Sequence, residues 1–188
     1  MKPVERDRRS VSHDRNQWHV ITGPPCCGKS TTVEMLAQRG FRVRSEIARA
    51  YLDEEISKGR TIQEIRSDMQ VFQCEVLRRA INSEDAMPHD ELIFLDRGIP
   101  DSLAYFMLHE IPPKPYLECI SAAKYRSVFY LDPLDEYSAD YARVENLAER
   151  DQLAGLLWKA YSDLGCRIER VPALDTNERI EYILTRAR

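Results

Sequence analysis

Apolar residues along the chain recur in two periods, and the two alternate. "WHVIT", Trp18 to Thr22, is a short apolar run that stops at Gly23 and reads as a buried strand. Ser30 to Arg39 follows as a helix, with Val33, Leu36 and Ala37 on one face and Gly40 as its stop. "FRVRSE", Phe41 to Glu46, alternates as a second strand, and Ile47 to Lys58 is helical up to Gly59. Thr61 and Glu64 have the spacing of a capping box. Ile62, Ile65, Met69, Phe72 and Val76 then recur at helical spacing, which predicts one long helix. "ELIFLD", Glu91 to Asp96, is the near-continuous apolar run of a central parallel strand. Asp101 is placed to cap a helix carrying Leu103, Phe106 and Met107, and "IPPKP", Ile111 to Pro115, reads as a rigid loop. "SVFYLD", Ser127 to Asp132, is a fourth strand. Val144 to Leu164 forms a long helix ended by Gly165, and "CRIERVP", Cys166 to Pro172, is a fifth strand. Asp175 to Glu178 opens a terminal helix bearing Ile180, Ile183 and Leu184.

This alternation predicts an α/β fold: a five-stranded, mostly parallel sheet with helices on both faces. No repeat, linker or low-complexity segment interrupts it, and 188 residues suit one well-buried core better than two. The expected organisation is a flexible tail over residues 1–17 and a single domain over 18–188. The formal net charge of -4 gives no basic excess, so neither nucleic acid nor an anionic membrane is an expected partner. The five cysteines are odd in number and lack a C-x-x-C spacing, which argues against a disulfide framework or a zinc site and for a reducing compartment. There is no apolar run of about 18 residues to span a bilayer. The first residues carry charge without an apolar segment, so the expected location is cytoplasmic.

Candidate chemistry begins with Gly23-x-x-x-x-Gly28-Lys29-Ser30. It follows a strand and opens a helix, the setting in which this spacing makes a phosphate-binding loop of the Walker A type. Backbone N–H groups cradle phosphate oxygens, Lys29 is a point charge for the β- and γ-phosphates, and the Ser30 hydroxyl can ligate Mg2+. Pro24 and Pro25 have no N–H to donate. Cys26, Cys27, Gly28, Lys29, Ser30 and Thr31 keep theirs. A cysteine at position 26 gives up the freedom of glycine to take positive φ. The two thiols read either as small fillers or as a pair in which the helix N-terminus and Lys29 favour a thiolate.

Three carboxylates end predicted strands: Glu46, Asp96 and Asp132. Ligands of open α/β sheets bind outside the carboxyl ends of the strands, so all three could face the phosphate loop. Asp96 is the natural Walker B partner of Mg2+. Glu46 reads as a base toward an acceptor hydroxyl or a water, or as a capping or salt-bridged residue. Asp132 precedes Pro133 and reads as a turn former. Arg97 can reach an anionic substrate group or pair internally. Arg143 and Arg150, two helical turns apart, read as part of a lid that closes over the transferring phosphate, or as a solvated face interleaved with Glu145 and Glu149.

The stretches "GPPCCGKSTT", "VRSEIARAYL", "IFLDRGIPDSLAY", "YSADYARVE" and "YSDLGCRIERVP" together resemble the AAA_28 group. These are small P-loop ATPases or kinases related to the ribosylnicotinamide kinase domain of NadR-type proteins. The resemblance runs from Trp18 to the C-terminus. It implies a nucleoside/nucleotide-kinase-like P-loop NTPase sheet, a lid around residues 133–150, and ATP with Mg2+. By position, Lys29 and Ser30 are its nucleotide and metal residues, Asp96 and Arg97 its strand-end pair, Arg143 a lid arginine, and Glu46 an acid near the acceptor. Cys26 and Cys27 depart from its usual loop. The expected function is ATP-dependent phosphotransfer to a nucleoside-like or vitamin-like metabolite. Competing readings are a Mg-dependent hydrolase of a nucleoside or other organic triphosphate, and a nucleotide-dependent switch.

Overall fold

A computed structural model describes residues 16–121, 123–134 and 147–187. The apolar runs become β1 (Trp18–Thr22), β2 (Arg42–Arg44), β3 (Ile93–Asp96), β4 (Ser127–Leu131) and β5 (Ile168–Val171). They pair in parallel in the order β2-β3-β1-β4-β5. The strands with unbroken apolar runs, β1, β3 and β4, take the three central places and are buried throughout. β2 and β5, which carry charges, take the edges.

The helices are α1 (Lys29–Gln38), α2 (Ile47–Ser57), α3 (Ile62–Ile65), α4 (Met69–Asp85), α5 (Asp101–Leu108), α6 (Leu117–Ser121), α7 (Leu147–Asp163) and α8 (Thr176–Arg186). Successive strand residues point to opposite faces, so each central strand feeds two cores. Ile21, Phe94 and Phe129 pack on one face with Val33 and Leu36 of α1 and Ile180 and Ile183 of α8. Val20 and Val128 face the other side, against Tyr161 of α7. There α7 packs on α5, and α5 on α4. No helix among the described residues is long and apolar enough to cross a membrane.

Three elements differ from the sequence reading. The predicted long helix after Thr61 is two helices. The capping box forms, but it caps only α3. Asp68 then takes an extended conformation and its carboxylate accepts from the Val71 N–H at 3.0 Å, starting α4 afresh. A second cap overrides the continuous apolar period, because a side chain that satisfies an orphan N–H stabilises a new start. Asp101 is the first residue of α5 rather than its cap; Pro100 holds the cap position. A 3-10 turn at Lys114–Tyr116 enters the stretch expected to be loop, Ile111 to Pro115, and α6 follows where the sequence reading assigned no element. The predicted lid at 133–150 falls mostly outside the described residues, as does the tail over 1–15.

Candidate functional site

β1, β3 and β2 are neighbours, so the loops leaving their carboxyl ends share one edge of the molecule. The loop after β1 holds the phosphate-loop sequence. Its backbone bends twice through the left-handed region, at Cys26 (φ 61) and Gly28 (φ 81). Cys26 therefore adopts the conformation that its side chain disfavours, a strain of the kind a well-packed site sustains. Cys26 lines the cleft wall and is 9% exposed, whereas Cys27 is fully buried in the core beneath α1 and α8. Neither cysteine is in a disulfide among the described residues. The Lys29 ammonium turns back onto the loop, donating to the carbonyls of Gly23 at 2.9 Å and Pro24 at 2.7 Å. Pro24 gives no N–H, but its carbonyl parks the lysine.

The loop after β3 is held by side chains. Arg97 is also left-handed (φ 67). Its N–H donates to the Ile21 carbonyl at 3.0 Å, and its carbonyl accepts from the Arg44 guanidinium. Its own guanidinium pairs with Glu46 at 3.1 Å and with Asp101 at 2.9 Å. Of the two readings of Arg97, the geometry holds the internal ion pair. Asp101 is buried and accepts from the Thr22 hydroxyl at 2.8 Å, from the Gly98 N–H at 3.0 Å, and from the Tyr161 hydroxyl. The Ile99 N–H donates to the Tyr125 hydroxyl at 2.9 Å, which in turn donates to buried Glu84. A Cβ at Gly98 would lie 2.8 Å from the Tyr161 hydroxyl and 3.0 Å from Tyr125, so this hub needs a glycine there.

Glu46 sits at the N-terminus of α2 and Asp96 at the end of β3. Their environments push the two carboxyls apart. Burial works to raise the pKa of Glu46, but Arg97, Lys29 and Arg49 outweigh it and hold it below the usual carboxylate range. Asp96 is pushed up to about 6, first by burial and then by the charge of Glu46, against the pull of Lys29, Arg97 and Arg44. Opposite shifts on two neighbouring acids are the pattern by which one site holds a base and an acid of different strength. Asp132 lies apart. It follows β4 and pairs with Arg170 of β5 at 2.7 Å, a surface ion pair away from the cleft wall.

An open cleft with about 1120 Å3 of empty space, solvent at its mouth included, joins these parts. The phosphate loop and the start of α1 line it with Cys26, Gly28, Lys29, Ser30 and Thr31. Glu46, Arg97 and Asp101 bring charge to the wall. Leu52, Met69, Phe72, Gln73, Val76 and Tyr105 line it from α2, α4 and α5. Gly23 and Cys27 support the loop from behind. Arg143 lies outside the described residues. Arg150 is on α7, with its guanidinium 3.5 Å from Asp151.

Sequence reasoning gave no role to Arg44, Arg49, Gln73, Tyr105 or Arg179. Arg44 is an interior charge on a strand that reads as half-exposed. Gln73 and Tyr105 look like ordinary helix positions until α4 and α5 are set against the cleft. Arg179 reads as a solvated helix residue, yet it is buried against the phosphate loop, donating to the Cys27 carbonyl at 2.8 Å.

No curated protein matches the chain in sequence. Among solved structures it is similar to deoxyadenosine kinase from M. mycoides with dCMP and dCDP bound, at 16% identity and a TM-score of 0.62, covering 90% of this chain and 97% of that one. It is also similar to NadR protein in complex with NAD and AMP-PNP, at 14% identity and a TM-score of 0.67. That match covers 92% of this chain but 50% of the NadR chain. At such identities the likeness shows the fold alone, an α/β P-loop NTPase sheet with helices on both faces. The AAA_28 model, described as an AAA domain, matches residues 18–179, and the chain belongs to that family.

Proposed function

We propose that the protein is a small-molecule kinase that transfers the γ-phosphate of ATP to a hydroxyl of a nucleoside-like or vitamin-like metabolite. One observation carries this reading above the others: the cleft is walled not only by the phosphate loop but also by apolar side chains of α2, α4 and α5, with the ionised Glu46 carboxylate on the same wall. A hydrolase needs room for one substrate and a water. A kinase needs two chambers and a base at their junction.

The loop N–H groups of residues 26 to 31 and the start of α1 would hold the phosphates. Lys29, released from the Gly23 and Pro24 carbonyls, would meet the β- and γ-oxygens. Glu46, kept ionised by Arg97, would take the proton of the acceptor hydroxyl as its oxygen attacks. Arg97 fixes the direction of that carboxylate through its own anchors. Mg2+ suits the residues present: among the described residues Asp96 Oδ1 is buried without a hydrogen-bond partner, and Ser30 brings a hydroxyl to the cleft wall. Ser30 and Asp96 would hold the ion, which would offset the charge of the phosphates. Arg143, in the lid segment, belongs to the same proposal as a cation that meets the transferring phosphate.

The test is a panel of nucleosides and hydroxylated vitamins with Mg-ATP, with product phosphate ester and free phosphate measured side by side. Acceptor-dependent ester formation with slow phosphate release in its absence is expected. Release that is fast with no acceptor and unaffected by any would replace the kinase with a hydrolase.

A further inference from the structure

Arg179, in the first turn of α8, is 3% exposed, and its guanidinium lies under the phosphate loop. Nη1 donates to the Cys27 carbonyl at 2.8 Å and Nη2 to the Leu174 carbonyl at 3.4 Å, while Nε is buried without a partner. Among the described residues it forms no ion pair. Arginine cannot escape burial by losing its proton at neutral pH. The charge of Asp132 reaches it only from beyond ion-pair distance, and Asp132 is itself paired with Arg170. A buried cation without a paired counter-charge is destabilising, so such a group stays where something else offsets it.

The hydrogen bond to Cys27 has a consequence for the other side of the same peptide. The Cys27–Gly28 unit is planar and trans, so its carbonyl and the Gly28 N–H point in opposite directions. With the carbonyl drawn down to Arg179, the Gly28 N–H faces up toward the cleft, where Gly28 forms part of the wall. A cationic donor on the carbonyl also polarises the peptide and strengthens its N–H as a donor. The contact is close: a Cβ at Gly28 would stand 2.6 Å from Nη1, so the guanidinium fills the space that any other residue's side chain would need.

We propose that Arg179 is a positioning residue of the nucleotide site, aiming the Gly28 N–H at the phosphates and supplying a buried cation whose counter-charge is the bound nucleotide. The proposal rests on the phosphate-loop reading. It makes the C-terminal helix a part of nucleotide binding, although α8 contributes nothing to the cleft wall.

The experiment measures binding of adenosine, Mg-ADP and Mg-ATP to the full chain by calorimetry, with melting temperatures with and without Mg-ADP. Wild type, Arg179→Lys and Arg179→Met are compared. In Arg179→Met the Kd for both nucleotides should rise about tenfold or more, the scale of losing one charged hydrogen bond. Adenosine binding should stay within about twofold. The melting temperature without ligand should change little, while the rise on adding Mg-ADP shrinks. Arg179→Lys should recover much of the affinity. If Arg179→Met fails to fold, Arg179→Gln, which keeps a donor without the charge, takes its place with the same expected ranking. Nucleotide affinity within twofold of wild type, or a loss shared equally by adenosine, would overturn the proposal. Wild type that binds no Mg-ATP would remove the phosphate-loop reading itself, a result separate from either.

Discussion

The loops that leave β1 and β3 lie side by side and are built by opposite means. The first is a main-chain device. Its donors are backbone N–H groups, its bends are at Cys26 and Gly28, and Cys27 serves as core filling. The second is a side-chain device. Asp101, Tyr125, Tyr161 and, through Tyr125, Glu84 converge from four other parts of the chain to hold residues 97–99. Both loops contain a non-glycine residue in the left-handed region, so both store strain that packing must sustain. The difference lies in what each would lose. A main-chain cradle tolerates side-chain change as long as the backbone holds. A hub of buried charges fails when one member is removed.

Asp101→Asn should therefore produce the largest effect on stability. It leaves Arg97 half-paired and gives the Thr22 and Tyr161 hydroxyls a weaker acceptor. Removing one member of a buried charged set costs about 3–5 kcal/mol. A urea denaturation midpoint close to wild type would show that the hub is not a unit.

Lys29→Ala should act on turnover instead, lowering phosphotransfer by about 10²–10³-fold, the scale of losing one preorganised charge or donor. The fold should remain intact, because the loop is shaped by its backbone. Single-turnover rates together with circular dichroism check both halves of the statement. An unchanged rate would break the phosphate-loop assignment.

Glu46→Gln stands where the two loops meet. It should leave the affinity for Mg-ATP near that of wild type and reduce transfer by about 10²-fold, as loss of a general base does. A lower melting temperature at an unchanged rate per folded molecule would assign Glu46 to the hub alone.

The smallest effect is expected in the cradle. Cys26→Gly relieves a left-handed cysteine, worth about 1–2 kcal/mol, against the extra chain entropy of glycine, about 0.5–1 kcal/mol. The net is a gain of about 0–1.5 kcal/mol, with nucleotide affinity unchanged. In wild type, a thiol reagent should label Cys26 at the cleft wall and spare fully buried Cys27, and Mg-ATP should protect. Labelling of Cys27 in the folded protein would break the division between wall and core. A large loss of stability in Cys26→Gly would show that the cysteine side chain, and not the backbone, shapes the loop.

These two loops were unequally legible. The phosphate loop was readable because its function resides in backbone groups, and the local sequence sets backbone shape through glycine positions, a preceding strand and a following helix. The pairing of Arg97 with Glu46 and Asp101 was readable only as one of two options, since a sequence does not say which charges will meet. The break at Asp68 was missed because hydrophobic period carries no information about a second cap competing within it. Arg143 remains an expectation from the sequence and the family resemblance.

The sequence by itself determined the alternation of strands and helices, the central place of the apolar strand β3, and the phosphate loop, all of which follow from local periodicity and turn chemistry. Tertiary structure alone decided which charges share an interior. Arg44 and Glu84, whose charged groups lie 3.8 Å apart, are 40 residues apart in the chain, and Tyr161 and Asp101 are 60 apart. Arg179 and Cys27 are 152 apart. Such contacts arise when the sheet brings distant chain ends to one edge. Burial then fixes their energies and their pKa values, and neither exists until the elements are packed.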